Sequence, residues 1–247
     1  MKLIYLDCYS GISGDMFLGA MVDMGVSIGM LASALARLNL DIKVNAKKVN
    51  KHGILGTKVD VVVPDTKEQR NLADILEIIN KSQMLDDVRS TATNIFKRLA
   101  AAEAAVHGVP VEEVHFHEIG ALDTIADVVG AAFCYKSSGA EGLYASAINV
   151  GSGTVKTAHG VLPVPAPATL ELLKGVPIYS SGINAELVTP TGAAILVELS
   201  SGYGPMPSMR MEKTGYGAGT LDLEPANMLR AVLGEKQQRV LTARKGH

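Results

Sequence analysis

Apolar and polar positions follow two different periods along this chain, and the changes of period mark its elements. Residues 2–7, KLIYLD, make a short apolar run of the kind that forms a buried strand, and CYSGISGD follows as a glycine-rich turn. Asp15 opens a helical stretch to about Met24, and Ser27 is placed to cap a second helix over 28–38. DIKVNAKKV and ILGTKVDVVV alternate at strand period and are joined by NKHG, which predicts a hairpin. After Pro64 and a polar stretch, LADILEIIN has the period of an amphipathic helix. VRSTATNIFKRLAAAEAAVHG predicts a longer helix closed by Gly108 and Pro110. VEEVHFHEIG reads as a short extended connection before a helix over about 121–136.

The second half changes character. From Leu143 the pattern is short strands and Gly/Pro turns, with APATLELLK and TGAAILVEL as its helical candidates. Residues 208–219 predict a strand entering a glycine turn, ANMLRAVLG a closing strand, and EKQQRVLTARKGH a basic tail or linker without apolar period. The expected fold is α/β to mixed α+β: strand–glycine turn–helix units followed by a strand-rich second half. One domain is expected over 1–234, with a candidate sub-boundary near 138–142 and the tail over 235–247.

Composition narrows the class. With 23 Lys+Arg against 25 Asp+Glu the net charge is −2, too balanced for a protein that lives on nucleic acid or an anionic membrane. Hydrophobic residues at 47% and charged residues at 19% exclude a disordered chain. Aromatics are 4% and Trp is absent, so the core must be aliphatic and draw on ten Met. Two cysteines cannot build a disulfide framework, which fits a reducing cytosol. Residues 16–36 come nearest to a membrane span, but Asp23 and glycines 19, 25 and 29 interrupt them, so a cytoplasmic protein is expected.

Several clusters carry candidate chemistry. In the first, a strand delivers Asp7 to its carboxyl end and Ser10, Gly11, Ser13 and Gly14 form a tight turn before a helix. Such a turn suits a phosphate, while Asp7 and Asp15 suit a divalent cation; a plain strand–turn–helix corner with Asp15 as cap fits the same residues. The second cluster is His115, His117 and Glu118, with Asp123 and Asp127 behind it. In an extended chain residues i and i+2 face one side, so both imidazoles can meet one metal, and Asp123 and Asp127 share a helix face. Imidazole with carboxylate suits nickel, zinc, iron or manganese; Glu118 and two further carboxylates within ten residues favour a metal site over a surface HxH motif without a ligand. His107 is expected at a helix C-terminus near the dipole, and His52 in the hairpin turn.

A third cluster is Gly151, Ser152 and Gly153, then His159 ahead of the stiff Pro163, Pro165 and Pro167 spacing, which can aim it at a cleft; a structural turn with a proline-stiffened connection fits as well. A fourth is Thr189, Pro190, Thr191 and Gly192, an anion cradle or a capped helix. The fifth, residues 215–219 (GYGAG), is a close-approach backbone segment without an acid or base.

These five clusters, in this order, resemble the nickel insertion proteins of the LarC family, which complete the nickel-pincer nucleotide cofactor of lactate racemase. The strings that carry the resemblance are DCYSGISGDMFLGAMVDMGV, AEAAVHGVPVEEVHFHEIGALDTIADVVG, VGSGTVKTAHGVLPVPAPATLELLKG, ELVTPTGAAIL and GYGAGTLDLEPANMLR. The resemblance implies an enzyme that places Ni(II) into pyridinium-3,5-bisthiocarboxylic acid mononucleotide while CTP is cleaved to CMP and diphosphate. Mg(II) or Mn(II) would accompany the CTP, and a base must take the ring proton. The metal-site set is Asp7, Asp15, His115, His117 and Glu118, with Glu118 and Asp123 as candidate bases. Ser10, Gly11, Ser13, Gly14, Gly151, Ser152, Gly153, His159, Thr189 and Thr191 would face substrate or phosphate.

Many relatives carry a histidine-rich run where this chain has PDTKEQRN, and they continue into a further domain associated with the nucleotide. The expected partners are therefore a separately supplied C-terminal domain, lactate racemase pathway proteins and further copies of this chain in a homo-oligomer. A non-catalytic nickel carrier is the alternative, followed by a metal-dependent phosphohydrolase built on Asp7 and Asp15.

Overall fold

A computed structural model describes residues 1–64, 70–114, 116 and 121–237. Strand β1 (Lys2–Asp7) leads into helices α1 (Gly14–Asp23) and α2 (Ile28–Ala36), then the hairpin of β2 (Lys43–Lys51) and β3 (Ile54–Val62). Helices α3 (Leu72–Lys81), α4 (Asp86–His107) and α5 (Leu122–Ser137) follow. Strands β4 (Gly142–Ala145), β5 (Ile148–Asn149), β6 (Gly151–Ser152), β7 (Thr154–Thr157) and β8 (Gly160–Pro163) precede α6 (Pro167–Leu172). Strands β9 (Ile178–Tyr179) and β10 (Ala185–Glu186), helix α7 (Pro190–Leu199) and strands β11 (Ser200–Tyr203), β12 (Met209–Ala218) and β13 (Met228–Lys236) complete the described fold.

The main sheet is mixed and seven-stranded among the described residues, in the order β11-β4-β1-β13-β12-β3-β2. β1 lies inside it, parallel to β4 and antiparallel to β13, with Leu3, Ile4 and Leu6 wholly buried. That position explains the unbroken apolar run, since an interior strand meets protein on both faces. The flanking β4, which begins at Gly142, and β13 come after residues 138–141 while β1 comes before them, so one sheet takes strands from both sides of that stretch. Glu235 and Lys236, grouped with the tail by their polarity, pair in β13 with Lys2 and Met209.

Helix α1 lies directly on β12 and β3 because small residues face each other there. A Cβ on Gly217 would overlap the Met16 carbonyl, and one on Gly19 would overlap the Thr57 carbonyl. The glycines of GYGAG thus serve a close approach, and the approaching partner is this helix. Helix ends follow their local chemistry. Asn71 and Asp74 form a reciprocal capping box on α3, each bond 3.0 Å long. Gly108 takes the left-handed conformation that closes α4, with its N–H on the Ala104 carbonyl at 2.8 Å.

One segment departs from its expectation. Val111–Glu113 form a 3-10 turn where an extended connection was predicted, because Pro110 fixes the entry and its carbonyl accepts the Glu113 N–H at 3.0 Å. The two cysteines, Cys8 and Cys134, are free and buried. Among the described residues no helix is long and apolar enough to cross a membrane.

Candidate metal and substrate site

The glycine-rich turn after β1 is held by backbone bonds to distant segments. Gly11 takes φ +76° and donates its N–H to the Cys8 carbonyl at 3.0 Å. A Cβ there would overlap the Leu187 carbonyl, so glycine is needed for both conformation and space. The Ile12 N–H donates to Leu187 at 2.9 Å and the Ile12 carbonyl accepts from Thr189 at 3.2 Å. Ser10 is buried, and its hydroxyl donates to the Ala226 carbonyl at 2.9 Å. The first and fourth sequence clusters therefore form one corner, with these donors already engaged inside the protein.

The third cluster joins them through the same segment. Gly151 and Ser152 pair with Glu186 and Ala185 across β6 and β10. The Ser152 hydroxyl donates to Ile183 at 2.8 Å, and the Thr189 hydroxyl caps α7 by accepting the Gly192 N–H at 3.1 Å. Thr191 is half-buried in the first turn of that helix. Asn149 ties the cluster to the β1 turn, and the motif reading passed over it. Its amide donates to the Tyr9 carbonyl and the Ser181 hydroxyl, both at 2.8 Å, and its oxygen accepts the Ser181 N–H at 3.2 Å. A lone amide between Ile148 and Val150 was the available signal, because a polar side chain in an apolar run must find partners.

Carboxylates gather where α1 begins. Asp15 accepts from the Ser13 hydroxyl and from the Met16 N–H at 2.9 Å, and its other oxygen pairs with Lys58. Lys58 also donates to the Thr220 hydroxyl at 2.9 Å. Asp127, on α5, packs over Gly14 so closely that a Cβ there would overlap its carboxylate. The group for which Gly14 makes room is thus one of the protein's own carboxyls. Asp127 Oδ1 is enclosed and has no hydrogen-bond partner among the described residues. Burial, then the charges of Asp15 and Asp123, push the Asp127 carboxyl well above the usual carboxylate range, with Lys58 opposing. Asp123 is exposed in the first turn of α5, one helical turn before Asp127, and accepts the Thr124 N–H at 2.8 Å.

Asp7 stands apart from this group. It faces Arg230 across the β1–β13 register and pairs with its guanidinium. Tyr9 and Tyr179 lie near that pair, their hydroxyls pushed up first by burial and then by the Asp7 charge. The two aspartates expected at one cation therefore each meet a separate basic residue. His159 sits in the β7–β8 turn, about 13 Å along the hairpin from Gly153, next to His107 at the end of α4. His115, His117 and Glu118 lie outside the described residues. Among the described residues no three His, Cys, Asp or Glu side chains already converge as a metal-binding group.

The sheet order and this corner define a mixed-sheet α/β protein with a group of carboxyls beside a glycine turn. The chain belongs to the nickel insertion protein family, whose model matches residues 4–245. It is 50% identical over 236 residues to the pyridinium-3,5-bisthiocarboxylic acid mononucleotide nickel insertion protein of Desulfitobacterium hafniense (strain DSM 10664 / DCB-2), covering 95% of this chain and 59% of that one. A protein of the same name from Thermotoga petrophila is 49% identical over 242 residues, covering 94% of this chain and 61% of the relative. A third, from Geobacillus kaustophilus, is 45% identical over 248 residues, covering 96% and 60%. The chain thus spans about three-fifths of the length of these relatives. No solved structure matches it.

Proposed function

We propose that this chain takes part in inserting Ni(II) into pyridinium-3,5-bisthiocarboxylic acid mononucleotide and holds the metal near the start of α1 and α5. The observation that carries this reading is Asp127 within the field of Asp15 and Asp123, with one enclosed carboxyl oxygen that lacks a described partner. The motif of His115, His117 and Glu118 precedes α5 in the sequence by a few residues and would supply the softer donors nickel favours. Insertion replaces a ring C–H bond by a nickel–carbon bond, so a proton must leave. Asp127, with its raised pKa, is a better-matched acceptor for that proton than an ordinary carboxylate, and Glu118 and Asp123 are its alternatives. CTP with Mg(II) or Mn(II), and a C-terminal domain corresponding to the rest of the relatives' length, belong to the same proposal.

The test is product formation, followed by mass spectrometry, and CMP release with Ni(II), Mg(II), CTP and the mononucleotide present. The chain is expected to bind nickel alone and to release little CMP until the C-terminal part is added. His115→Ala/His117→Ala should weaken nickel binding at least tenfold. Unchanged affinity in that variant, or no product from the two-part mixture, would overturn the reading.

A further inference from the structure

One row of side chains crosses the sheet on the face turned away from α1. Asp7 on β1 stands opposite Arg230 on β13, and Arg230 stands opposite Tyr216 on β12. Residues opposite each other on neighbouring antiparallel strands share a face, so the three side chains lie side by side over about 10 Å. Gly215 and Gly217, either side of Tyr216, take the face packed on α1, where a Cβ would overlap the Ala20 and Met16 carbonyls. The row lies at the carboxyl end of β1, the end at which open sheets with parallel strands take their ligands. Tyr9 follows two residues past Asp7, and Tyr179 comes from β9. Asn149 links these two, since its amide donates to the Tyr9 carbonyl at 2.8 Å and its strand pairs it with Tyr179.

The row holds more than an ion pair. Arg230 meets Asp7 through one terminal nitrogen, and its enclosed Nε has no partner among the described residues. The Arg230 side chain is 41% exposed and the Asp7 side chain 20%, so a solute reaches both. Burial and then the Asp7 charge raise the Tyr9 hydroxyl, with Arg230 opposing and Tyr216 adding to the rise, so these four groups lie within electrostatic reach of one another. Three of the chain's seven tyrosines thus gather at one carboxylate and one guanidinium, in a chain that is only 4% aromatic. A guanidinium held in place by a carboxylate offers its remaining N–H groups to an anion. Phenol faces beside a carboxylate favour a cationic ring. We infer that this row binds a positively charged aromatic ring that carries an anionic group, with the anion on Arg230, the ring on the faces of Tyr9 and Tyr179, and Asp7 answering its charge. A neutral ring leaves Asp7 without a second cation, so the site distinguishes rings by charge. That the ligand is a pyridinium mononucleotide rests on the function proposed above; recognition of a cationic ring with an anion does not.

The test is calorimetric titration of the full chain with nicotinic acid mononucleotide, without nickel or CTP. Uridine monophosphate, whose ring is neutral, is expected to bind about tenfold more weakly. Inorganic phosphate and 1-methylpyridinium-3-carboxylate should each compete, and the stronger competitor marks which anion Arg230 holds. Arg230→Gln should weaken the mononucleotide about tenfold. Tyr9→Leu/Tyr179→Leu should weaken it about fivefold, while Tyr9→Phe/Tyr179→Phe keeps the ring faces and the parent's affinity. The chain has no Trp, so its tyrosine emission reports the same event. The pyridinium should quench that emission in the parent and much less in the Tyr9→Leu/Tyr179→Leu chain. Comparing the two mononucleotides on the parent decides the matter even if a variant misfolds. Equal affinity for the two, parent affinity in a folded Arg230→Gln chain, or no binding by the parent overturns the site. No metal enters these readouts, so failure of the insertion reading and failure of this site remain distinguishable.

Discussion

Helix α1 has a partly buried carboxylate at each end, and the two ends are held in opposite ways. At its C-terminal end Asp23 accepts from the Thr57 hydroxyl, the Lys48 ammonium and the Tyr216 N–H, the last at 2.9 Å. Burial pushes the Asp23 carboxyl up, but these bonds from β2, β3 and β12 bring it below its ordinary value. At the N-terminal end Asp15 shares Lys58 with the field of Asp127, whose enclosed oxygen has no described partner and whose carboxyl is pushed far the other way. Folding answers the first charge completely, and the second end keeps an enclosed carboxyl whose proton a cation could displace. The contrast separates a carboxylate that holds the sheet to its helix from carboxylates poised for a ligand.

The sharpest way to break the second end is Gly14→Val, which drives a branched side chain into the space of Asp127. It should cost about 3 kcal/mol, read as a lower urea midpoint with an unchanged slope. A midpoint equal to the parent's would mean that Asp127 does not pack there. At the other end, Asp23→Ala leaves Thr57 and the Tyr216 N–H without their acceptor and should cost about 2 kcal/mol. The exposed Lys48 adds little to that figure.

The pH dependence of that loss has a definite sign. A lowered folded pKa means that the unfolded chain binds more protons, so the contribution of Asp23 is present above its unfolded value near 3.8 and disappears as pH falls through the lower folded value. The gap between parent and Asp23→Ala, measured by urea unfolding, should therefore narrow below about pH 4. Asp127→Asn gives the smallest effect and the opposite sign. A raised folded pKa lets the folded chain bind the extra proton, so parent stability declines as pH rises above the unfolded value. The variant should escape that decline and gain up to about 1 kcal/mol at neutral pH without metal, while a divalent cation stabilises it less than the parent. A metal-dependent shift equal to the parent's would remove Asp127 from the proposed metal-holding group.

Much of the local structure was legible in the sequence. The capping pair Asn71–Asp74, the closing Gly108 and the alternation of the β2–β3 hairpin act over a few residues, so their physics is written in adjacent letters. The motif strings likewise pointed to the nickel insertion family before any coordinate. Pairing was not legible. Asp7 and Asp15 looked alike as cation ligands, yet one meets Arg230 and the other Lys58. Gly14 looked like room for a phosphate, and the fold places the Asp127 carboxylate over it.

By itself, then, the sequence determined the elements, their caps, the aliphatic core and the family, because period, propensity and motif are local properties. The tertiary structure decided which charge is answered and by whom. β1 sits between β4 and β13, so Asp7 meets a side chain from the far end of the described chain, and α5 folds back to lay Asp127 on the first turn of α1. Electrostatic and hydrogen-bond partners are set by distance in space, and a chain with mixed strand order brings together residues that its sequence keeps far apart.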